Sequence, residues 1–387
     1  MNIKKVIYVG NQLSLSGSTM VMLDVLNHLD RDKYAPHLIL KPGSRMDAAH
    51  LLKDDVIVHH PRHLRSWWSR CYVEDFRFRR YLENVVRTNS ESVFIVDHTK
   101  YNGLFSNFKK KHRIKVVNRV GTIISWRLKN GINLKGEKRI ARSLLPYSDY
   151  IVVPSFAVKN DLVNSFSIDP SIIRVIYNSL DSKKVGKNAL EELSYETDLK
   201  TLLFVGRLVS KKYPMLLLDA FKDMSSENND VELWFVGDGD QRRQLEEYVT
   251  VNKLGSNIKF WGLQKNPYKF MKQADVFIHT SQMEGFGIAL MEAAYFNLPI
   301  VYSDTLVGAN ELLKKHNIGY PFDINSKRDL IDSIQKALTR PKKAYFDLLK
   351  SDISIDNFIR KYEETIEKVI AGSEEAIQSA SHNDSSG

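Results

Sequence analysis

Cysteine is almost absent: Cys71 stands alone among 387 residues, so no disulfide can close within the chain. A reducing compartment suits such a protein. Long apolar runs are missing as well, and no stretch reaches the roughly 20 residues that a membrane-spanning helix needs. The opening MNIKKVIYVGNQLSLSG enters a strand and then polar residues, with too short an apolar run for a secretory signal. No G-x-G-x-x-G follows a strand with an acidic residue at the right distance, which disfavours dinucleotide binding. The expectation is a cytoplasmic protein that is not integrated into a membrane.

Acidic residues are scarce in one half only. Residues 1–180 carry 29 Lys and Arg against 15 Asp and Glu, and the remainder carries 27 against 31. The excess concentrates in His59 to Arg87 and in Lys109 to Lys115. The first of these mixes Arg62, Arg65, Arg70, Arg77, Arg79 and Arg80 with Trp67, Trp68, Tyr72, Phe76 and Phe78. Such a pattern suits an anionic membrane surface. It also suits single-stranded nucleic acid, or a solvated helix whose aromatics face a core.

Short apolar runs alternate with helix-length patterns along most of the chain. KKVIYVG, HLIL, VIVHH, SVFIVDH, IKVVNRV and YIVVPS form one series; KTLLFVG, VELWFVG, IKFWG, DVFIHT, PIVYSD and GYPFD form another. That rhythm predicts two α/β, doubly wound parallel sheets. A length of 387 residues also favours two domains. The boundaries read as an N-terminal domain at 1–180, a polar linker at 181–199 and a second domain at 200–345; C-terminal helices at 346–371 packing back towards the first domain and a disordered tail at 372–387 complete the chain.

Chemistry concentrates in the second half. In SQMEGFGIALMEAAYFNLPIVYSD, Glu292 is the only charged side chain between Gly287 and Phe296, on a helix apolar all round. A carboxylate placed there needs a partner or a polar cavity. Glu284 precedes the helix, where Gly285 and Gly287 leave backbone amides approachable by an anion. On local physics alone, Glu284 capping the helix and Glu292 bonding a neighbouring loop remains open. Open parallel sheets bind ligands beyond the carboxyl ends of their strands, and Arg207 and Lys212 follow TLLFVG there. Two cations in a crevice suit a diphosphate. Asp238-Gly239-Asp240 resembles a metal-holding Asp-x-Asp, but a tight turn with Asp240 as helix N-cap explains it more simply.

These pieces, with VVPS, VIYNSLD and VGANELL in the same order across roughly residues 150–325, resemble retaining glycosyltransferases of family 4, which have the GT-B fold and include bacterial polysaccharide-assembly enzymes. The resemblance implies two Rossmann-like domains facing a central cleft. It implies that Glu292 accepts the ribose hydroxyls of a nucleotide and Glu284 bonds the transferred sugar. The amides around Phe286, Gly287 and Ile288 would hold the sugar and diphosphate end; Arg207 and Lys212 would neutralise the departing diphosphate; Leu263 and Gln264 would lie at the base. No metal and no cofactor beyond the nucleoside-diphosphate sugar are expected, because cations and a helix end do the work.

The first half departs from the family pattern. Of the usual pair of glycines near the diphosphate only Gly17 remains, after Ser16. Gly121 stands near the family's histidine, His98 is the nearest substitute, and no base is assigned. Tyr213 replaces the glycine usual after the lysine. In a retaining reaction the leaving phosphate can itself take the acceptor proton, so a protein base is not essential. The expected partners are a nucleotide-sugar, a glycan or polyprenyl-diphosphate-linked acceptor and the cytoplasmic face of the inner membrane, with no nucleic acid. A basic nucleic-acid- or polysaccharide-binding protein without turnover, or a nucleotide-sugar epimerase, are the alternatives.

Overall fold

A computed structural model of the chain describes residues 3–10, 12–14, 16–41, 43–59, 72–97, 99–131, 137–143, 145–227, 230–339 and 344–383. The chain divides into two compact units, Met1–Ser179 with Ile355–Gly387, and Leu180–Ser354.

The first unit is built on β1 (Lys4–Gly10), β2 (Tyr34–Leu40), β3 (Ile57–His59), β4 (Val93–Val96), β5 (Lys115–Arg119), β6 (Tyr150–Val153) and β7 (Ile173–Val175). Their order is β3-β2-β1-β4-β5-β6-β7 and every pairing is parallel. All four residues of β4 are buried, as expected of a central strand covered on both faces. The connecting helices are α1 (Gly17–His28), α2 (Tyr72–Thr88), α3 (Thr99–His112), α4 (Ile124–Lys129), α5 (Glu137–Ser143) and α6 (Phe156–Phe166). α2 comes from the basic, aromatic segment: Phe78, Leu82 and Val86 are buried at helical spacing, whereas Arg77, Arg79, Arg80 and Phe76 are exposed. Arg62, Arg65, Trp67, Trp68, Arg70 and His98 lie outside the described residues.

A buried charge cluster ties the carboxyl ends of these strands together. Arg119, at the end of β5, donates from Nη1 to Asp97 Oδ2 over 2.9 Å, and the Tyr8 hydroxyl donates to the same oxygen over 3.0 Å. The Arg119 guanidinium fills the space beside Gly121, where a Cβ would approach Nη1 to 3.0 Å.

The second unit contains β8 (Lys200–Val205), β9 (Val231–Val236), β10 (Ile258–Gly262), β11 (Val276–His279), β12 (Met283–Glu284), β13 (Ile300–Ser303), β14 (Leu306–Val307) and β15 (Tyr320–Phe322). Six form a parallel sheet in the order β10-β9-β8-β11-β13-β15, and β12 and β14 pair separately. Its helices are α7 (Ser182–Asn188), α8 (Pro214–Glu227), α9 (Arg242–Val251), α10 (Tyr268–Gln273), α11 (Ile288–Tyr295), α12 (Asn310–Lys315), α13 (Lys327–Leu338) and α14 (Tyr345–Ile353). Both units therefore have the Rossmann-like layering expected of the sequence.

Three expectations about boundaries change. Residues 181–199 belong to the second unit and are not a free linker. Asp181 caps α7, and Tyr195 packs edge-on against Trp234 and Trp261 while donating its hydroxyl to Glu232 over 3.0 Å. One aromatic anchor outweighs the polar composition around it. The return to the first unit starts at Ile355, after α14, whose Phe346 packs on Tyr295. From there α15 (Ile355–Asn383) buries Phe358 and Tyr362, and Glu363 Oε1 accepts the Asp30 amide over 2.8 Å. The expected disordered tail is helical as far as Asn383, because good helix formers such as Glu374, Glu375 and Ala376 extend a helix already nucleated by packing. Residues 384–387 lie outside the described residues.

Candidate functional site

Of the candidate site residues, only Gly17 lies in the first unit. It is the first residue of α1, after Ser16, whose hydroxyl caps the helix by accepting the Thr19 amide over 3.4 Å. The others belong to the second unit, mostly beyond the carboxyl ends of its strands.

The loop after β8 carries the cations. Gly206 has φ 154°, and a Cβ there would fall 2.8 Å from Lys212 Nζ, so the missing side chain makes room for the lysine to fold back. Lys212 ends a short 3-10 turn, Ser210–Lys212, and Tyr213 follows in the left-handed conformation at φ 49°. Glycine reaches that conformation without strain, so the glycine that the resemblance implies at this place would suit the backbone as it stands. Arg207 is exposed in the same loop, and among the described residues no ion pair engages it.

Lys212 Nζ lies 2.7 Å from Glu284 Oε1. Glu284 is held in the short strand β12, paired to β14, rather than acting as a helix cap: the N-cap of α11 is Gly287, at φ 100°. Ser281 Oγ donates to the same oxygen over 3.0 Å, and His279 Nε2 stands 3.5 Å away. Burial pushes the Glu284 carboxyl up, but Lys212 and then His279 outweigh it and hold the group well below the usual carboxylate range. Glu284 is therefore an anion at any pH near neutrality.

Glu292, one turn into α11, meets the opposite environment. Burial dominates and pushes its carboxyl up; the Tyr268 hydroxyl, donating to Oε1 over 3.0 Å, and the more distant charges of Lys184 and Lys212 oppose this only in part. Its partner is thus a tyrosine on α10 and not a loop. Phe286 and Ile288 flank Gly287, and the first amides of α11 have no acceptor within the helix. A Cβ on Gly287 would come within 3.0 Å of Val307 Cγ1.

Leu263 and Gln264 follow β10. Leu263 is 73% exposed, and Gln264 Nε2 is tied to the Trp261 carbonyl over 2.6 Å. Among the described residues neither forms a hydrogen bond with Lys212, Glu284 or Glu292. The Asp238-Gly239-Asp240 turn is structural: Asp238 accepts the Gly239 amide over 2.8 Å and pairs with Arg242. The N-cap of α9 is Gln241, one residue later than Asp240. Among the described residues no group of three or more His, Cys, Asp and Glu is placed to hold a metal ion.

Sequence reasoning missed His279, Ser281 and Tyr268. The only signal was the requirement that a carboxylate on an apolar helix find a partner; the partner's identity depends on how α10 and β11 are placed.

The family model described as Glycosyltransferase Family 4 matches residues 15–184, and that described as Glycosyl transferases group 1 matches residues 187–346. A Campylobacter jejuni protein named N-acetylgalactosamine-N,N'-diacetylbacillosaminyl-diphospho-undecaprenol 4-alpha-N-acetylgalactosaminyltransferase is 29% identical over 266 residues, covering 68% of this chain and 71% of that protein. The capsular polysaccharide biosynthesis glycosyltransferase CapH of Staphylococcus aureus is 22% identical over 352 residues, covering 89% of this chain and 93% of its own. The crystal structure of Anabaena Alr3699/HepE in complex with UDP and glucose superposes with a TM-score of 0.75 at 17% identity, covering 94% of this chain and all of that one.

Proposed function

This chain belongs to the family 4-type glycosyltransferases of the GT-B fold, and on that premise we propose that it moves a sugar, with retention of anomeric configuration, from a nucleoside-diphosphate sugar onto a lipid-linked glycan in cell-surface polysaccharide assembly. The observation that carries the reading is the convergence of Lys212, Glu284 and Glu292 around the N-terminal end of α11.

In this reading Glu292 accepts the ribose hydroxyls in place of the Tyr268 hydroxyl. Its raised proton affinity reflects an interior carboxylate short of donors, which a vicinal diol would supply. Glu284 is already ionised and receives a sugar hydroxyl. As the glycosidic bond to the diphosphate breaks, negative charge grows on the phosphate oxygens; Lys212, Arg207 and the first amides of α11 stabilise it without a metal ion. The departing phosphate takes the proton of the attacking acceptor hydroxyl. Binding at this site is differential, because the cations gain most when charge has developed.

The acceptor class draws support from the relatives, one named for a diphospho-undecaprenol-linked substrate and one for capsule biosynthesis. No described helix is long and apolar enough to cross a membrane. A peripheral position on the cytoplasmic face of the inner membrane, through the basic first half, is part of the proposal.

The test is a thermal-shift screen in chelator against UDP, GDP, ADP, CDP and their sugar conjugates, repeated with Glu292→Ala. Ligand binding raises apparent stability by mass action. A shift with one nucleotide that disappears in the variant supports the reading; UDP is the first choice because the HepE crystal contains it. A folded protein that shifts with no nucleotide would overturn it. Anomer analysis of the product by NMR then decides between retention and inversion.

A further inference from the structure

We infer that His279, acting through Ser281, is a positioning residue that keeps Glu284 in place when Lys212 is given over to the donor diphosphate. The inference rests on the donor-site reading above.

The free site poses a problem for that reading. Lys212 and Glu284 are each other's partner at 2.7 Å, and the lysine is 12% exposed and the glutamate 19%. A diphosphate that draws Lys212 away removes the cation from a half-buried carboxylate. Unless something else holds that carboxylate, it would swing or take up a proton, and the sugar contact would be lost.

The end of β11 supplies that hold. Ser281 Oγ donates to Glu284 Oε1 over 3.0 Å, so its oxygen is left to accept, and His279 Nε2 lies 3.3 Å from it. His279 Nδ1 is buried and meets no hydrogen-bond partner among the described residues. A proton on Nδ1 would be a buried donor without an acceptor, whereas a proton on Nε2 leaves only a lone pair unpaired. The favoured tautomer therefore donates from Nε2 towards Ser281 and Glu284, in one direction along the chain of groups.

The segment from His279 to Ser281 also fixes the other partner. Thr280 Oγ1 donates to the Lys212 carbonyl over 2.6 Å, and the Ser281 carbonyl accepts from Ser303 Oγ over 2.6 Å and from Thr305 Oγ1 over 2.8 Å. His279 to Ser281 is thus a pinned segment that sets the backbone of the lysine and the carboxylate of the glutamate together. The Ser281 hydrogen bond and the closest approaches of Lys212 and His279 all fall on Glu284 Oε1, and among the described residues no hydrogen bond reaches Oε2. Oε2 is the oxygen presented to a sugar hydroxyl.

The experiment compares wild type with His279→Phe, His279→Gln and Ser281→Ala. Carboxyl-13C-glutamate NMR follows the titration of Glu284, assigned by its loss in Glu284→Gln, and steady-state kinetics use UDP-glucose or whichever sugar conjugate gives the thermal shift. His279→Phe and Ser281→Ala should move the Glu284 midpoint up and lower kcat by about tenfold or more, the effect of losing a hydrogen bond to a charged group, with donor KM changing less. His279→Gln, which keeps a donor, should recover part of both. An unmoved Glu284 midpoint in His279→Phe would overturn the inference, and so would a moved midpoint with wild-type kcat. If the wild type binds no nucleotide-sugar at all, the donor-site reading and the role in the reaction fall together, while the midpoint still decides whether His279 holds Glu284.

Discussion

Replacing Asp97 by Asn changes one charge and almost no volume, and the structure makes it an expensive change. Arg119 is 5% exposed and Asp97 15%, with 2.9 Å between Nη1 and Oδ2. The neighbours of Arg119 are neutral: Tyr8 shares the same carboxylate oxygen, Asn178 Oδ1 lies 3.5 Å from Nη2, and Tyr362 of α15 also bonds the guanidinium. Burial and then Asp97 push the Tyr8 phenol far up, so it stays a donor and cannot replace the lost anion. Breaking a buried pair from one side costs about 3–5 kcal/mol because an uncompensated charge stays behind. Asn still accepts one hydrogen bond, so the low end, about 3 kcal/mol, is expected; this corresponds to roughly a 150-fold fall in equilibrium constant. The measurement is native-state hydrogen exchange of peptides from β1, β4 and β5, which reports this unit separately from the other. Asp97→Asn combined with Arg119→Met should recover most of the loss, since removing both charges of a buried pair is close to neutral. A single-variant loss under about 1 kcal/mol, or a double variant less stable than either single one, would refute the assignment of this cluster as a charge-coupled tie between α15 and the strand ends.

The remaining predictions concern both units. Glu292→Gln should stabilise the ligand-free protein at neutral pH, because the raised proton affinity of Glu292 means its ionised form disfavours folding there; the gain should vanish as pH falls below the ordinary glutamate range, as urea unfolding across pH would show. Glu284 has the opposite sign: its contribution is present above the ordinary glutamate range and is lost on acidification through its depressed value, so Glu284→Gln should destabilise at neutral pH and less in acid. His37 is pushed down from 6.5 to about 4, first by burial and then by His59 and Lys5. The unfolded state then takes the proton first, so stability should fall as pH drops from 6.5 towards 4, by at most about 3 kcal/mol, and His37→Gln should flatten that slope. Gly237→Ala places a Cβ 1.9 Å from the Gly206 carbonyl oxygen at φ 139°, so it should lower the urea midpoint by the equivalent of about 3 kcal/mol or force β8 and β9 apart. Arg62, Arg65 and Arg70 to Ser together should weaken binding to anionic liposomes more than donor hydrolysis; unchanged liposome affinity would count against a membrane role for that segment.

How much of this was legible from the residues follows from where each signal resides. Parallel strands buried on both faces are apolar along nearly their whole length, so VFIV, and VELWFV apart from Glu232, declared themselves; β7, three residues at a sheet edge, did not. Composition misled at 181–199 because Tyr195 packs as one large side chain among polar ones, and composition averages hide a single anchor. It misled again at the C-terminus, where helix propagation from a packed segment needs no core of its own.

At the site the asymmetry is sharper. Glu284, Glu292 and Lys212 stood out because a charge within an apolar setting has few explanations other than a partner or a ligand. What such a charge cannot disclose is which residue answers it. Tyr268 precedes Glu292 by 24 positions and His279 lies five before Glu284, and neither is unusual in its own stretch of sequence. The structure separates two carboxylates alike in sequence into one paired with a cation and a hydroxyl at a single oxygen and one held, among the described residues, only by a tyrosine hydroxyl. Glu292, which burial rather than a cation dominates, gains its donors when a diol arrives, which is why it should govern nucleotide affinity, whereas Glu284, already charged and pinned at one oxygen, should govern turnover. If Glu284→Ala weakened nucleotide binding as much as Glu292→Ala while leaving kcat alone, the donor count around each carboxylate would not be what divides their roles.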